Sequence, residues 1–178
     1  MGLGNPGERY AGTRHNVGFE IASALAEGWS LGRWRRKFGA QLAEGRAGPG
    51  GPRVAVMLPQ TYMNEAGRSV GPARGSFKVR LDRVLVIHDE IDLPFGEVRA
   101  RTGGGLAGHN GLKSVAAELG GREFARIRVG VGRPDSSDPD VVAAYVLAGF
   151  REPPDQVREL IRAGREAAET TVSASVSA

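Results

Sequence analysis

The run Arg83–His88, RVLVIH, constrains this chain most. Val84, Leu85, Val86 and Ile87 follow one another without a polar face, as in a parallel strand covered on both sides. Such a strand needs helices above and below its sheet. Val17–Ala26 supplies one, with Phe19, Ala22, Leu25 and Ala26 on one face and Asn16 in the capping position. Asn64 opens a second helix to about Phe77, weakened by Gly67, Gly71 and Gly75. Asn110–Leu119 is a third, and Asp155–Thr170 a charged C-terminal one. Between them Phe38–Glu44 and Arg53–Leu58 read as strands joined by the turn-rich Arg46–Pro52. Gly96–Arg101 alternates as a strand does, Arg126–Gly132 is another, and Met1–Gly4 is the end of a first one. Arg33–Phe38 (RWRRKF) reads as a basic loop with Trp34 and Phe38 buried. The alternation predicts an α/β fold: one three-layer sandwich with a mixed, mostly parallel sheet flanked by helices. The domain is expected over residues 1–170, and the low-complexity tail 171–178 is expected to fray.

A chain of 178 residues is long enough to bury a full core in one domain. No apolar run is long enough to span a membrane, and the first residues lack the basic start and apolar core of a secretion signal. A cytoplasmic protein is the default expectation. With no cysteine there is no disulfide framework or thiolate metal site, and three histidines make a poor zinc set. The net charge is +4 and the sequence pI about 9.9. The lysines are Lys37, Lys78 and Lys113, so the positive charge is nearly all arginine, which suits bidentate phosphate contacts. The same bias, with abundant Ala and Gly, also fits a GC-rich genome, so charge alone leaves nucleic-acid binding open.

Sheets of this class carry their sites beyond the carboxyl ends of strands. Three clusters fall there. The opening segment GLGNPGERYAGTRHNVGF holds Asn5, His15 and Asn16 in loop chemistry set by Gly and Pro. Asn64 follows the strand ending near Leu58, and HDEID (His88–Asp92) ends the apolar run. With no cysteine and no GxSxG elbow, the simplest chemistry left is a histidine that takes a proton from water and a carboxylate that orients it. HDEID also admits a divalent-cation reading, but neighbouring side chains on an extended segment point in opposite directions. It admits, too, a plain acidic strand end. Gly103–Gly108 is glycine-rich yet lacks the GK[ST] ending of a nucleotide loop, and reads as a mobile lid leading to Asn110 at a helix start, where free backbone N–H groups favour an anion or carbonyl oxygen. Asn64 and Asn110 are either helix caps or, with Asn5, amides that hold an ester carbonyl and its oxyanion. Arg99, Arg101, Lys113, Arg126 and Arg128 form a basic group, either a solvated face or a phosphate surface.

The segments GLGNPGERYAGTRHNVGF, PQTYMNEAG, HDEIDLPFG, GGGLAGHNGLKS and FARIRVGVGRP follow one another in an order that resembles the bacterial peptidyl-tRNA hydrolase family, over most of Gly2–Leu147. The resemblance implies a phosphorylase/hydrolase-like sandwich and hydrolysis of the ester between a peptide and the terminal ribose of tRNA. It implies His15 as general base and Asp89 as its orienting partner. Substrate would meet Asn5, Tyr10, Tyr62, Asn64, His109 and Asn110, with His109 shaping a gate. Arg99, Arg101, Lys113 and Arg128 would hold tRNA phosphates. The family needs no metal or other cofactor and no obligate protein partner or membrane, so a monomer is expected.

Two departures stand out. Apolar residues that family members carry ahead of GLGNPG are not here, so a longer native N-terminus is expected. The stretch DSSDPD after Pro134 lacks a lysine that some members place near tRNA. Two other function classes compete: an RNA-binding splicing-factor-like paralogue without a hydrolase role, and a small hydrolase whose substrate is not tRNA. Retention of His15, Asp89 and the three asparagines argues against the first, and the dispersed Arg101, Lys113 and Arg128 against the second.

Overall fold

In a computed structural model, which describes residues 1–176, six strands and five helices follow in the order α1 (Val17–Gly28), β1 (Arg35–Lys37), β2 (Ala40–Arg46), β3 (Arg53–Pro59), α2 (Gly67–Phe77), β4 (Leu85–Glu90), β5 (Val98–Thr102), α3 (Asn110–Leu119), β6 (Ala125–Gly130), α4 (Pro139–Val146) and α5 (Pro154–Val176). The strands form two three-stranded sheets, ordered β1-β2-β3 and β4-β6-β5. The first residues join them. The Gly2 amide donates to Met57 O of β3, while Leu3 N donates to Ile87 O and Ile87 N to Met1 O on the β4 side. Gly2 and Ile87 form a parallel bridge. The predicted opening strand is therefore present as a three-residue link at the centre. The Met1 amino group donates to Leu85 O at 2.6 Å, and burial lowers its pKa to about 5.

The fold is α/β with a mixed sheet, as expected, but antiparallel pairs outnumber parallel ones. Only β4–β6 is parallel among the named pairs, whereas β1–β2, β2–β3 and β5–β6 are antiparallel. For β1–β2 and β2–β3 the reason lies in the connections: short turns can only return a strand antiparallel, and a crossover is needed for a parallel neighbour. The two-residue turn between β1 and β2 and the tight Arg46–Pro52 segment both return the chain this way.

Period-two alternation sorts the core into two layers. Leu42, Met57 and Val86 join Leu112, Val115 and Val70 on the face of α2 and α3. Ala43, Val56 and Ile87 join Val17, Ile21 and Leu160 on the face of α1 and α5. Helix α1 packs directly on the central link, because a Cβ on Gly18 would lie 2.4 Å from Ile87 O and 2.6 Å from Leu3 O. Two of the three glycines that weaken α2 as an isolated helix, Gly67 and Gly71, serve the same end: a Cβ on Gly67 would lie 2.3 Å from Ser114 O of α3, and one on Gly71 would meet the Glu118 side chain, whereas Gly75 faces open space.

Three local expectations change. Arg35–Lys37 is a strand rather than a loop, and Trp34 is 39% exposed rather than buried, because β1 is the sheet edge and its side chains face water. Helix α4 is additional, capped by Asp138, whose side chain accepts from Asp140 N. Helix α5 continues to Val176 instead of ending at Thr170, and residues 177–178 of the tail lie outside the described residues.

Candidate active site

Asp89 lies next to last in β4, 2% exposed, and two histidines from two separate loops meet it. His15 Nδ1 lies 2.9 Å from both carboxylate oxygens. His109 Nε2 lies 3.0 Å from Oδ1. The two rings tilt toward each other at 5.1 Å between centroids. The bonding fixes the protons. An ionised carboxylate only accepts, so His15 carries its proton on Nδ1 and keeps a lone pair on Nε2. His109 is locked differently: its Nδ1 accepts from Gly111 N at 3.1 Å and Leu112 N at 3.3 Å, so its proton sits on Nε2 and points at Asp89.

These contacts set the charge states. Burial alone would raise the Asp89 pKa, yet the charge and hydrogen bonds of His15 and His109 outweigh it and hold the carboxyl well below its usual range. For His15 burial works against the charged ring, but Asp89, by its charge and its hydrogen bond, leaves it above the ordinary histidine value. His88 has the opposite fate. Fully buried and edge-on to His109, it falls to about 3 through burial first and His109 second. Its Nδ1 faces Asp89 O at 2.7 Å, so it is a neutral ring that ties down the backbone of the carboxylate residue.

The opening loop is held rigidly around His15. Asn16 stands at the start of α1, but its side chain makes no cap. It bonds Asn5 twice instead, accepting from Asn5 N and donating to Asn5 O, each at 2.9 Å. Asn5 in turn accepts from Met63 N through Oδ1 at 2.8 Å, which ties the loop to the turn carrying Asn64. Its side-chain NH₂ is left without a partner among the described residues. Buried Arg14 reaches the other way, to Gly149 O at 2.8 Å and Tyr145 O at 3.2 Å, with its guanidinium 4.1 Å from the Tyr145 ring centroid. The sequence groups Asn16 with Asn5 and His15 but shows no partner for it or for Arg14, since those partners lie 11 and more than 130 residues away.

Asn64 is exposed in a 3-10 turn, Met63–Glu65, ahead of α2 rather than at its cap. Asn110 is the first residue of α3 and also exposed. The cap is His109, so the Gly111 and Leu112 amides expected to face an anion or carbonyl oxygen are already satisfied by its Nδ1. Tyr10 is half-buried under the Arg9 guanidinium, 4.6 Å away, and Tyr62 is 54% exposed. Neither of the other two acids of HDEID joins Asp89 at His15. Glu90 is buried and accepts from Arg128 Nε at 3.0 Å, and Asp92 pairs with Arg133 at 2.6 Å. HDEID therefore does not converge as a cation site. Among the described residues, one set with atoms close enough to hold a cation is His15, Asp89 and His109, within 4.8 Å of one another, and there the carboxylate oxygens already accept from both rings.

The basic group divides as well. The register sets Arg99 opposite Arg128 and Arg101 opposite Arg126, so all four share one face of the β5–β6 ladder. Arg99 is paired with Glu97, and Arg128 with Glu90. Arg101 and Lys113 are exposed, with no ion pair among the described residues. Arg126 is buried and bonds backbone carbonyls, which removes it from any phosphate surface.

Known proteins resemble this chain over most of its length. A family model described as Peptidyl-tRNA hydrolase matches residues 1–178. The peptidyl-tRNA hydrolase of Mycobacterium sp. (strain KMS) is 53% identical over 151 residues, covering 84% of this chain and 77% of that protein. That of Anaeromyxobacter sp. (strain K) is 50% identical over 161 residues, covering 90% and 81%. The crystal structure of an Arg119Gln mutant of the Acinetobacter baumannii peptidyl-tRNA hydrolase superposes with a TM-score of 0.83 at 35% identity, covering 97% of this chain and 84% of that one.

Proposed function

The chain belongs to the peptidyl-tRNA hydrolase family, and on that premise we propose that it cleaves the ester between a peptide and the 3′-terminal ribose of tRNA with water activated by His15. The observation that carries the proposal is the bond from His15 Nδ1 to Asp89, which leaves Nε2 unprotonated on a side chain that is partly exposed. His15 Nε2 takes a proton from water as the water oxygen attacks the ester carbonyl. The resulting oxyanion is met by neutral amide donors: the spare NH₂ of Asn5 and the exposed amides of Asn64 and Asn110. The carbon–oxygen bond to the ribose then breaks, and the protonated His15 returns its proton to the departing ribose oxygen. The products are a peptide carboxylate and a tRNA with a free terminal hydroxyl. Asp89 stabilises the imidazolium between the two transfers without being protonated itself.

Recognition of the RNA falls to Arg101 and Lys113, the exposed cations nearest the glycine loop, with Arg99 and Arg128 contributing only where a phosphate competes with Glu97 or Glu90. Tyr10 and Tyr62 flank the peptide side. The assigned groups need no second copy of the chain to complete them, so the reading is of a monomer, working where translation does, in the cytoplasm. No helix among the described residues is long and apolar enough to cross a membrane. The test is release of peptide from peptidyl-tRNA by the wild type and by His15→Ala, with binding of deacylated tRNA measured in parallel. Loss of release with binding retained supports the assignment; an unchanged rate refutes His15 as base.

A further inference from the structure

Arg126 is among the largest fully buried side chains, 2% exposed, and it faces another arginine across the strand pair. Like charges directly opposite in an antiparallel ladder are unfavourable. In the neighbouring pair the repulsion is relieved, since Arg99 has Glu97 and Arg128 has Glu90. In the pair Arg101–Arg126 it is not: among the described residues neither has a carboxylate within ion-pair distance. Arg126 instead donates from NH1 to Gly105 O at 2.9 Å and from NH2 to Gly103 O, while its Nε has no partner. Those two carbonyls begin the loop that runs from β5 to His109. Gly104 lies between them at φ 85°, and a Cβ there would be 2.4 Å from the Arg101 guanidinium. Two guanidinium groups thus border one short stretch of backbone. One is buried and grips it; the other is exposed.

We propose that Arg126 is a positioning residue, a buried latch that fixes the start of loop 103–108 and through it the placement of His109 and Asn110, and that a phosphate bound at Arg101 tightens this latch. The fork of a guanidinium suits two carbonyls at once, which a lysine ammonium does not reproduce. Burial first, then the nearness of Arg101 and Arg128, weigh against the charge that the latch needs, and the more distant carboxylates of Glu90 and Glu123 offset them only in part. An anion at Arg101 offsets that repulsion. Arrival of RNA is thereby coupled to ordering of the loop, and by reciprocity the ordered loop strengthens phosphate binding by the same factor. The assignment of RNA phosphate as the anion rests on the proposed function; the grip of Arg126 on the loop does not.

Amide hydrogen exchange of residues 103–109, with and without deacylated tRNA as probe, separates the two parts. In the wild type the probe slows exchange in the loop about fivefold or more, a modest allosteric coupling. Arg126→Met speeds loop exchange without RNA by about tenfold and abolishes the slowing by RNA. Its kcat on peptidyl-tRNA falls about 10- to 100-fold, as expected when catalytic groups shift by an ångström. The salt slope of RNA binding stays as in the wild type. Arg126→Lys keeps the charge without the fork, behaves like the Met variant in loop exchange, and carries the test if Arg126→Met does not fold. Unchanged loop exchange in the Lys variant overturns the latch, and a salt slope lower by about one in Arg126→Met would make Arg126 a phosphate ligand instead. Loop exchange indifferent to RNA in an active wild-type enzyme overturns the coupling. A wild type without hydrolase activity defeats the proposed function and leaves the RNA-free exchange result standing.

Discussion

Two loops each deliver a histidine to the same carboxylate, and they are built in opposite ways. The loop carrying His15 is pinned at both ends: Asn16 clasps Asn5, Asn5 clasps Met63, and Arg14 reaches the carbonyls at Tyr145 and Gly149. The loop carrying His109 has Gly103, Gly104, Ala107 and Gly108 at positive φ and is gripped chiefly at its start by Arg126. The far nitrogens differ accordingly. His15 leaves Nε2 free, whereas His109 spends Nδ1 on the first turn of α3. In the proposed roles His15, as base, has to hold one position through a proton transfer, while His109, bordering an entrance, can afford hinges. The difference implies that damage to the first loop falls on the rate of chemistry and damage to the second on its coupling to substrate.

The sharpest way to break this comparison is to remove the base. His15→Ala is expected to lower kcat by about 10²- to 10⁴-fold, with the Kd for deacylated tRNA unchanged; single-turnover release and filter binding read the two quantities. Asp89→Asn comes next, because it disturbs both loops at once. The base must be neutral to act, so the wild-type rate falls as pH drops through the His15 pKa, which Asp89 holds above the ordinary value. Without the Asp89 charge only burial remains, which lowers that pKa. The acid limb of the pH–rate profile therefore moves to lower pH while the plateau rate drops. A limb that stays in place separates His15 from the titration. Stability follows the same logic with opposite sign. Asp89 is held below its unfolded value, so its contribution is full above about pH 4 and is lost as pH falls through the native pKa.

Asn16→Ala tests whether pinning of the first loop matters beyond His15 itself. It leaves the buried Asn5 N–H and C=O without partners, at about 1–3 kcal/mol for each unsatisfied group. Thermal denaturation should show the loss, and kcat should fall about tenfold if Asn5 drifts, with KM little changed. Asn16→Ser, which can cap a helix but cannot reach Asn5 twice, should not rescue the rate.

Much of this architecture was legible in local pattern. The unbroken apolar run became β4, and Asn110–Leu119 became α3 with the same ends, since both signals arise from neighbours in sequence. Elimination points to a histidine and a carboxylate of HDEID, the resemblance names His15 and Asp89, and the geometry brings the two side chains within 2.9 Å. What was missed is non-local. A polar residue ahead of a helix looks like a cap, so Asn16 gave no sign that its amide serves Asn5. Alternation places Arg126 and Arg128 on one face, but which of them is buried depends on where a loop twenty residues earlier folds back. His109 was passed over as the cap of α3 because Asn110 beside it is the commoner capping type. Asp138–Pro139 was a readable start for α4, an acidic cap followed by proline at the first helical position.

Arg101→Ala is the mildest change, and it addresses the second loop from outside. Arg101 is exposed and has no ion pair among the described residues, so its removal breaks no internal contact that the fold depends on. Folding should be unaffected, and relief of repulsion on Arg126 works slightly in favour of the native state. The loss appears in binding. One phosphate contact fewer lowers the slope of log K against log salt by about one, and KM rises severalfold at low salt while the two proteins converge as salt increases. The pH–rate profile should stay that of the wild type, because His15 and Asp89 are untouched. A shifted acid limb in Arg101→Ala would mean that the exposed edge reaches the buried carboxylate, and the separation between the two loops would then be one of degree.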